Sequence, residues 1–137
     1  MTKADLDRIE TTLDLKLPAS YRETILHYPQ WLVEKQPSWS NVTYWDYADD
    51  PDRVIHFNQY VRGFEPGEFF DEGPWPPHYF VIGSEEEQNW YFLDLEGGTE
   101  AVYLYHHDLG EVRSLAPSLR EFPDVLVEWW RGLESMQ

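Results

Sequence analysis

The 137-residue chain contains no cysteine, which removes disulfides, thiolate nucleophiles and cysteine-held metal ions from its chemistry. It also lacks any uninterrupted apolar stretch of membrane-spanning length, because charges or prolines break every hydrophobic run. The opening MTKADLDRIE has no apolar segment of the kind a secretory signal needs, so a cytoplasmic location is expected. Basic residues are scarce in one place above all: from Gly63 to Val112 there is no Lys or Arg. A stretch of that kind repels nucleic acid and anionic membrane surfaces, neither of which is expected as a partner.

What is present is a core and a field. Hydrophobic residues make up 42% of the chain and aromatic residues 17%, which at this length suits one domain spanning residues 1–137. The net charge is −16. Residues 1–35 carry five basic and six acidic side chains, and residues 113–137 carry three and four, so each flank stands at −1. Residues 36–112 hold sixteen carboxylates against Arg53 and Arg62 alone, a net of −14. That imbalance favours a basic partner or a cation, with solubility as its simplest alternative explanation.

Periodicity divides the chain into helices, a sheet and helices again. In TKADLDRIETTLD, Leu6, Ile9 and Leu13 recur at helical spacing, and Thr2 with Asp5 suits a capping box. A second helix is expected in LKLPASYRETILHYP, with Pro18 at its first position, Tyr21, Ile25 and Tyr28 on one face, and Pro29 ending it. QWLVEKQPSW has no clean period, whereas NVTYWDYA has strand composition. DDPDRVIHFNQYVRG predicts a helix capped by Asp50, opened by Pro51, stopped by Gly63, and facing inward through Val54, Ile55, Asn58 and Val61. HYFVIG, NWYFLDL and EAVYLYH, separated by SEEEQ and EGGT, predict an antiparallel meander. Helical spacing returns through Leu119, Phe122 and Leu126, where Pro123 either kinks the helix or begins a new one. The expected fold is therefore α+β, an antiparallel sheet with the N- and C-terminal helices packed on one face.

No catalytic constellation is complete. Ser84 follows Gly83 but lacks the Gly-x-Ser-x-Gly elbow, and reads as a turn serine. His106, His107 and Asp108 are consecutive near a strand end, where neighbours point to opposite faces and cannot close a metal site unaided. Asp46, Asp49, Asp50 and Asp52 lack the glycine and the closing glutamate of a calcium loop. No catalytic residue, cofactor or metal ligand is assigned.

Strand alternation yields the one candidate surface. Tyr79, Val81, Trp90, Phe92, Asp94, Tyr103 and Tyr105 share one face, and Phe80, Ile82, Tyr91, Leu93, Leu95, Val102 and Leu104 share the other, which reads as core. The first face is rich in the aromatic types found at binding hot spots. Two readings stand: it is a partner-binding surface, or it is a second core layer covered by aromatics such as Trp31, Trp39, Trp45 and Trp75. Glu85, Glu86 and Glu87 exceed what a turn requires, since adjacent like charges bring it nothing. They are expected to form an acidic recognition rim with Asp49 and Asp50, beside Trp90, Phe92, Asp94, Tyr103 and Tyr105.

Two stretches carry a family resemblance. LDRIETTLDLKLPASYRETILHY resembles the opening of the SUKH superfamily (Smi/Knr-type domain), in which a helix bearing an Ile and a Glu leads through a leucine pair to Leu-Pro-x-x-Tyr. YFVIGSEEEQNWYFLDLEGG with AVYLYHHDLGEVRSLAPSLREF is similar to its later strands and Ser-Leu-x-x-Phe motif. The family's frequent Asn-Gly-Gly after the second helix is replaced by His27, Tyr28 and Pro29, and residues 30–78 show no motif counterpart. For bacterial members the resemblance implies immunity proteins of interbacterial competition, which bind and neutralise a delivered toxin domain without catalysis. A cognate toxin is the partner so implied, and the acidic field of residues 36–112 fits a basic one best, such as a nuclease domain. A regulatory or scaffold module with an endogenous partner is the alternative, and a metal-dependent hydrolase using carboxylates with His106 or His107 is a weaker one.

Overall fold

A computed structural model describes residues 1–35, 45–63, 75–85, 89–107 and 109–135. Among these, the elements run α1 (Lys3–Leu13), α2 (Ala19–Leu26), α3 (Gln30–Lys35), β1 (Trp45–Tyr47), α4 (Pro51–Arg62), β2 (Tyr79–Glu85), β3 (Asn89–Asp94), β4 (Val102–His106), β5 (Glu111–Ala116) and α5 (Phe122–Ser135). The strands form one antiparallel sheet in chain order, β1-β2-β3-β4-β5. This is the expected α+β fold.

Local chemistry sets the helix ends. The Thr2 hydroxyl accepts from the Asp5 amide at 3.2 Å, and the Asp5 carboxylate accepts from the Thr2 amide at 2.8 Å, so two otherwise unpaired donors of α1 are satisfied reciprocally. These bonds to Thr2 hold the Asp5 carboxyl below its usual range. Asp50 caps α4 through the Asp52 amide, Pro51 stands in its first turn, and Gly63 closes it. Pro18, expected at the first helical position, is instead the N-cap of α2, one position before the helix begins at Ala19. Pro123 falls in the first turn of α5, where no helical donor is needed, so the helix begins there and does not kink.

Two elements escaped the periodicity. The aperiodic QWLV segment forms the short helix α3, which inserts Leu32 into the core. β5 carries no apolar alternation because Glu111, Val112, Arg113 and Ser114 are all exposed on an edge strand.

The sheet has two covered faces. On one, Phe80, Ile82, Tyr91, Leu93, Val102 and Leu104 meet Leu6, Ile9 and Leu13 of α1, Tyr21 and Ile25 of α2, and Phe122, Leu126 and Trp130 of α5. On the other, Val81, Trp90, Phe92 and Tyr105 lie under Trp75 and Val61, flanked by Phe57, Tyr79 and Tyr103. α4 serves both layers, with Val54 in the first and Val61 in the second.

Candidate functional site

The aromatic sheet face is a core layer over most of its extent. Trp75 stands edge-on to Tyr79, Phe92 and Tyr105, with ring centroids 5.9, 5.5 and 5.8 Å away, and its indole N–H donates to the Tyr79 carbonyl at 2.9 Å. Phe57 and Tyr60 of α4 lie against Trp90, at 5.6 and 5.9 Å. Trp90, Phe92 and Tyr105 are consequently buried, at 3%, 1% and 0% exposure, and present no ring to a partner. Of the four tryptophans considered as covers, Trp75 performs that role, and Trp31 lies elsewhere, exposed. Trp39 and the side chain of Trp45 lie outside the described residues.

What survives at the edge of this face is a ladder of three rings. Tyr79 and Tyr103 stack on opposite flanks of Phe92, at 4.3 and 5.6 Å, and both are half-buried. Burial first, then the neighbouring Asp94 carboxylate and Tyr103, push the Tyr79 phenol above its ordinary value. Asp94 is itself half-buried and turns back on its own chain, accepting from the Glu96 amide at 3.0 Å. A Cβ at Gly97 would stand 2.8 Å from its Oδ2, so that turn is closed around the carboxylate.

Glu85 is on the wrong face for a rim. Val81 pairs with Phe92 and Gly83 with Tyr91, which leaves Ile82 as an extra residue in β2. This bulge inverts the alternation beyond it, so Glu85, opposite Asn89, shares the face of Tyr91 and Leu93 and not that of Trp90. Its carboxylate is buried, with the Tyr91 hydroxyl 3.5 Å away. Glu86 and Glu87 lie outside the described residues. Asp49 and Asp50 are exposed at the turn into α4, some distance along the chain from the ladder. Of the ten residues expected to form one surface, the eight described ones therefore divide into buried core, half-buried strand ends and an exposed turn.

Sequence reasoning missed a second concavity. A groove of about 570 Å³ opens between α2, the start of α3, the β3–β4 connection and the β5–α5 connection. Pro29, Trp31, Leu119 and Pro123 provide its apolar surface, and Glu23, Glu100, His27 and Arg120 its charged and polar groups. These residues come from segments far apart in sequence, each unremarkable alone, and only the fold unites them. The one local hint is Trp31, a large aromatic in a stretch without an inward-facing period.

Among the described residues, no group of three or more His, Asp or Glu side chains is placed to hold a metal ion. Ser84 is buried opposite Trp90. The His107 amide donates to Asn89 at 2.9 Å, tying the end of β4 to the start of β3. No described helix is long and apolar enough to cross a membrane.

The model of the SMI1 / KNR4 family (SUKH-1) matches residues 1–124, and the match runs through residues 30–78, where the sequence motifs show no counterpart. No curated protein and no solved structure matches the chain. The family is generally a non-catalytic, immunity-type domain, and membership is consistent with a toxin-immunity role and with protein partners. From its motifs, its fold and this match, the chain belongs to the SMI1 / KNR4 (SUKH-1) family.

Proposed function

We propose that this chain is an immunity protein that neutralises a cognate antibacterial toxin by direct, non-catalytic binding, and that the toxin is basic, a nuclease domain being the best-fitting class. The observation that carries the reading is the charge distribution within a member of this family: residues 36–112 hold sixteen carboxylates against two arginines, while both flanks are nearly balanced. A nuclease must present positive charge to phosphates, and an acidic inhibitor is drawn to that same surface by long-range attraction. The exposed Asp49 and Asp50, with Asp94 at the end of β3, supply part of the negative rim in this reading; Tyr103 near the start of β4 flanks it, and Trp90, Phe92 and Tyr105 support it from beneath.

Co-expression tests the proposal. The toxin domain encoded beside this protein should arrest growth when produced in the cytoplasm, and this protein should restore growth while co-purifying with it. Absence of rescue by folded, abundant protein would transfer the lead to a scaffold with an endogenous partner.

A further inference from the structure

We propose that the groove between α2, α3 and the β5–α5 connection docks a basic segment of a protein partner, seating an arginine side chain against Trp31 with Glu23 and Glu100 as its counter-charges. Trp31 is 42% exposed although the next residue, Leu32, is fixed in the core at 2%. The helix is thus anchored while the indole is left at the groove, and a tryptophan held in a concave surface is the residue type that dominates binding interfaces.

The charges point the same way. Glu23 and Glu100 are exposed, and neither has an ion-pair partner among the described residues. Acids elsewhere on the molecule are engaged: Asp7 and Glu10 by Arg22, Asp52 by Arg8, Glu111 by Arg113. A guanidinium satisfies both features at once, because its plane stacks on an aromatic ring while its edge donates to carboxylates. Leu119 and Pro123, both buried, also line the groove.

Arg120 decides the class of ligand. Its guanidinium lines the same groove and carries only donors, so it calls for a ligand that brings acceptors as well as a cation, which the carbonyls of an extended peptide provide and a free metal ion does not. A second copy of this chain is a poor occupant, since two bodies of net charge −16 repel and Arg8, Arg22, Arg113 and Arg131 are held in ion pairs. The segment belongs to a different, basic protein.

The inference rests on the reading of this chain as a protein-binding module, but its test needs no toxin. The full chain is titrated, by amide and indole NMR, with a blocked pentapeptide bearing a central arginine between glycines and with its norleucine counterpart. Saturable shifts are expected at the Trp31 indole and at the Glu23 and Glu100 amides, with the norleucine peptide weaker by about tenfold. Trp31→Ala and the pair Glu23→Gln/Glu100→Gln should each weaken binding by about fivefold or more, Trp31→Phe should retain part of it, and Glu96→Gln, outside the groove, should leave it unchanged. The same spectra report whether each variant is folded. Equal binding of both peptides, equal loss in Glu96→Gln, or no saturable shift would overturn the proposal. Any of these results leaves growth rescue by the whole protein untouched, so failure of the groove and failure of the immunity reading are distinguishable.

Discussion

The carboxamide of Asn58 completes the edge of β2 at Val81. Its Oδ1 accepts from the Val81 amide at 2.9 Å, and its Nδ2 donates to the Val81 carbonyl at 2.9 Å and to the Val54 carbonyl at 2.8 Å. β1 reaches only Gly83 to Glu85, and the Ala48 amide reaches Ile82, so the bulged part of β2 would otherwise bury an unpaired amide and carbonyl. A side chain from α4 takes the place of a strand.

Asn58→Ala is therefore expected to destabilise the fold by about 2–4 kcal/mol, because it strands two buried backbone groups in addition to opening space. Asn58→Asp should be worse at neutral pH, since it keeps the acceptor but loses both donations and buries a charge. Urea unfolding of the two variants checks this. A loss below about 1 kcal/mol for the alanine variant would show that the backbone finds other partners.

Glu10 should act as a structural tie. Its Oε2 accepts from the Leu17 amide at 2.8 Å and its Oε1 from Arg22 at 2.9 Å, joining α1, the intervening turn and α2. With Ile9, Leu17 and Tyr21 buried beside it, the recognisable N-terminal motif is occupied in holding the fold. Glu10→Ala should cost about 1–3 kcal/mol, whereas Asp7→Ala, which removes an exposed partner of Arg22, should cost under about 1 kcal/mol. Thermal or urea unfolding ranks them, and the reverse order would contradict the assignment.

Alkaline pH should weaken the fold through its tyrosines. Burial raises the phenols of Tyr21 and Tyr47 above the ordinary value of 10.0, and neither hydroxyl has a hydrogen-bond partner among the described residues. Above pH 10 the unfolded chain releases protons that the folded chain retains, so stability is full below that pH and falls as pH rises beyond it. Tyr21→Phe and Tyr47→Phe should flatten that fall, and at pH 7 each should be neutral or stabilising because an unpaired buried hydroxyl is removed. Unfolding free energies measured from pH 7 to 11 decide the matter, and an unchanged alkaline slope in the double variant would rule these tyrosines out.

Much of this fold was legible where one short segment contains its own instructions. The Thr2–Asp5 box, the Asp50 cap with Pro51 and Gly63, and the alternating strands of the meander are of this kind. The site was less legible because three non-local events rearranged it. The bulge at Ile82 moved Glu85 to the helix-covered face, Trp75 folded over rings from three strands, and Trp31 met Glu100 and Arg120 from distant segments. Periodicity reports which residues share a face, and it does not report what arrives to cover that face.

The most direct test of the immunity reading is a titration of the toxin domain's own activity, at fixed toxin concentration well above the dissociation constant. The account predicts a linear loss of activity that ends at one equivalent of this protein, full recovery of unmodified toxin when the complex is dissociated, and slower association as salt is raised, since screening over about 8 Å at physiological ionic strength acts on the approach of opposite charges. Inactivation by far less than one equivalent, or toxin recovered in covalently altered form, would contradict it by showing that this protein acts as an enzyme.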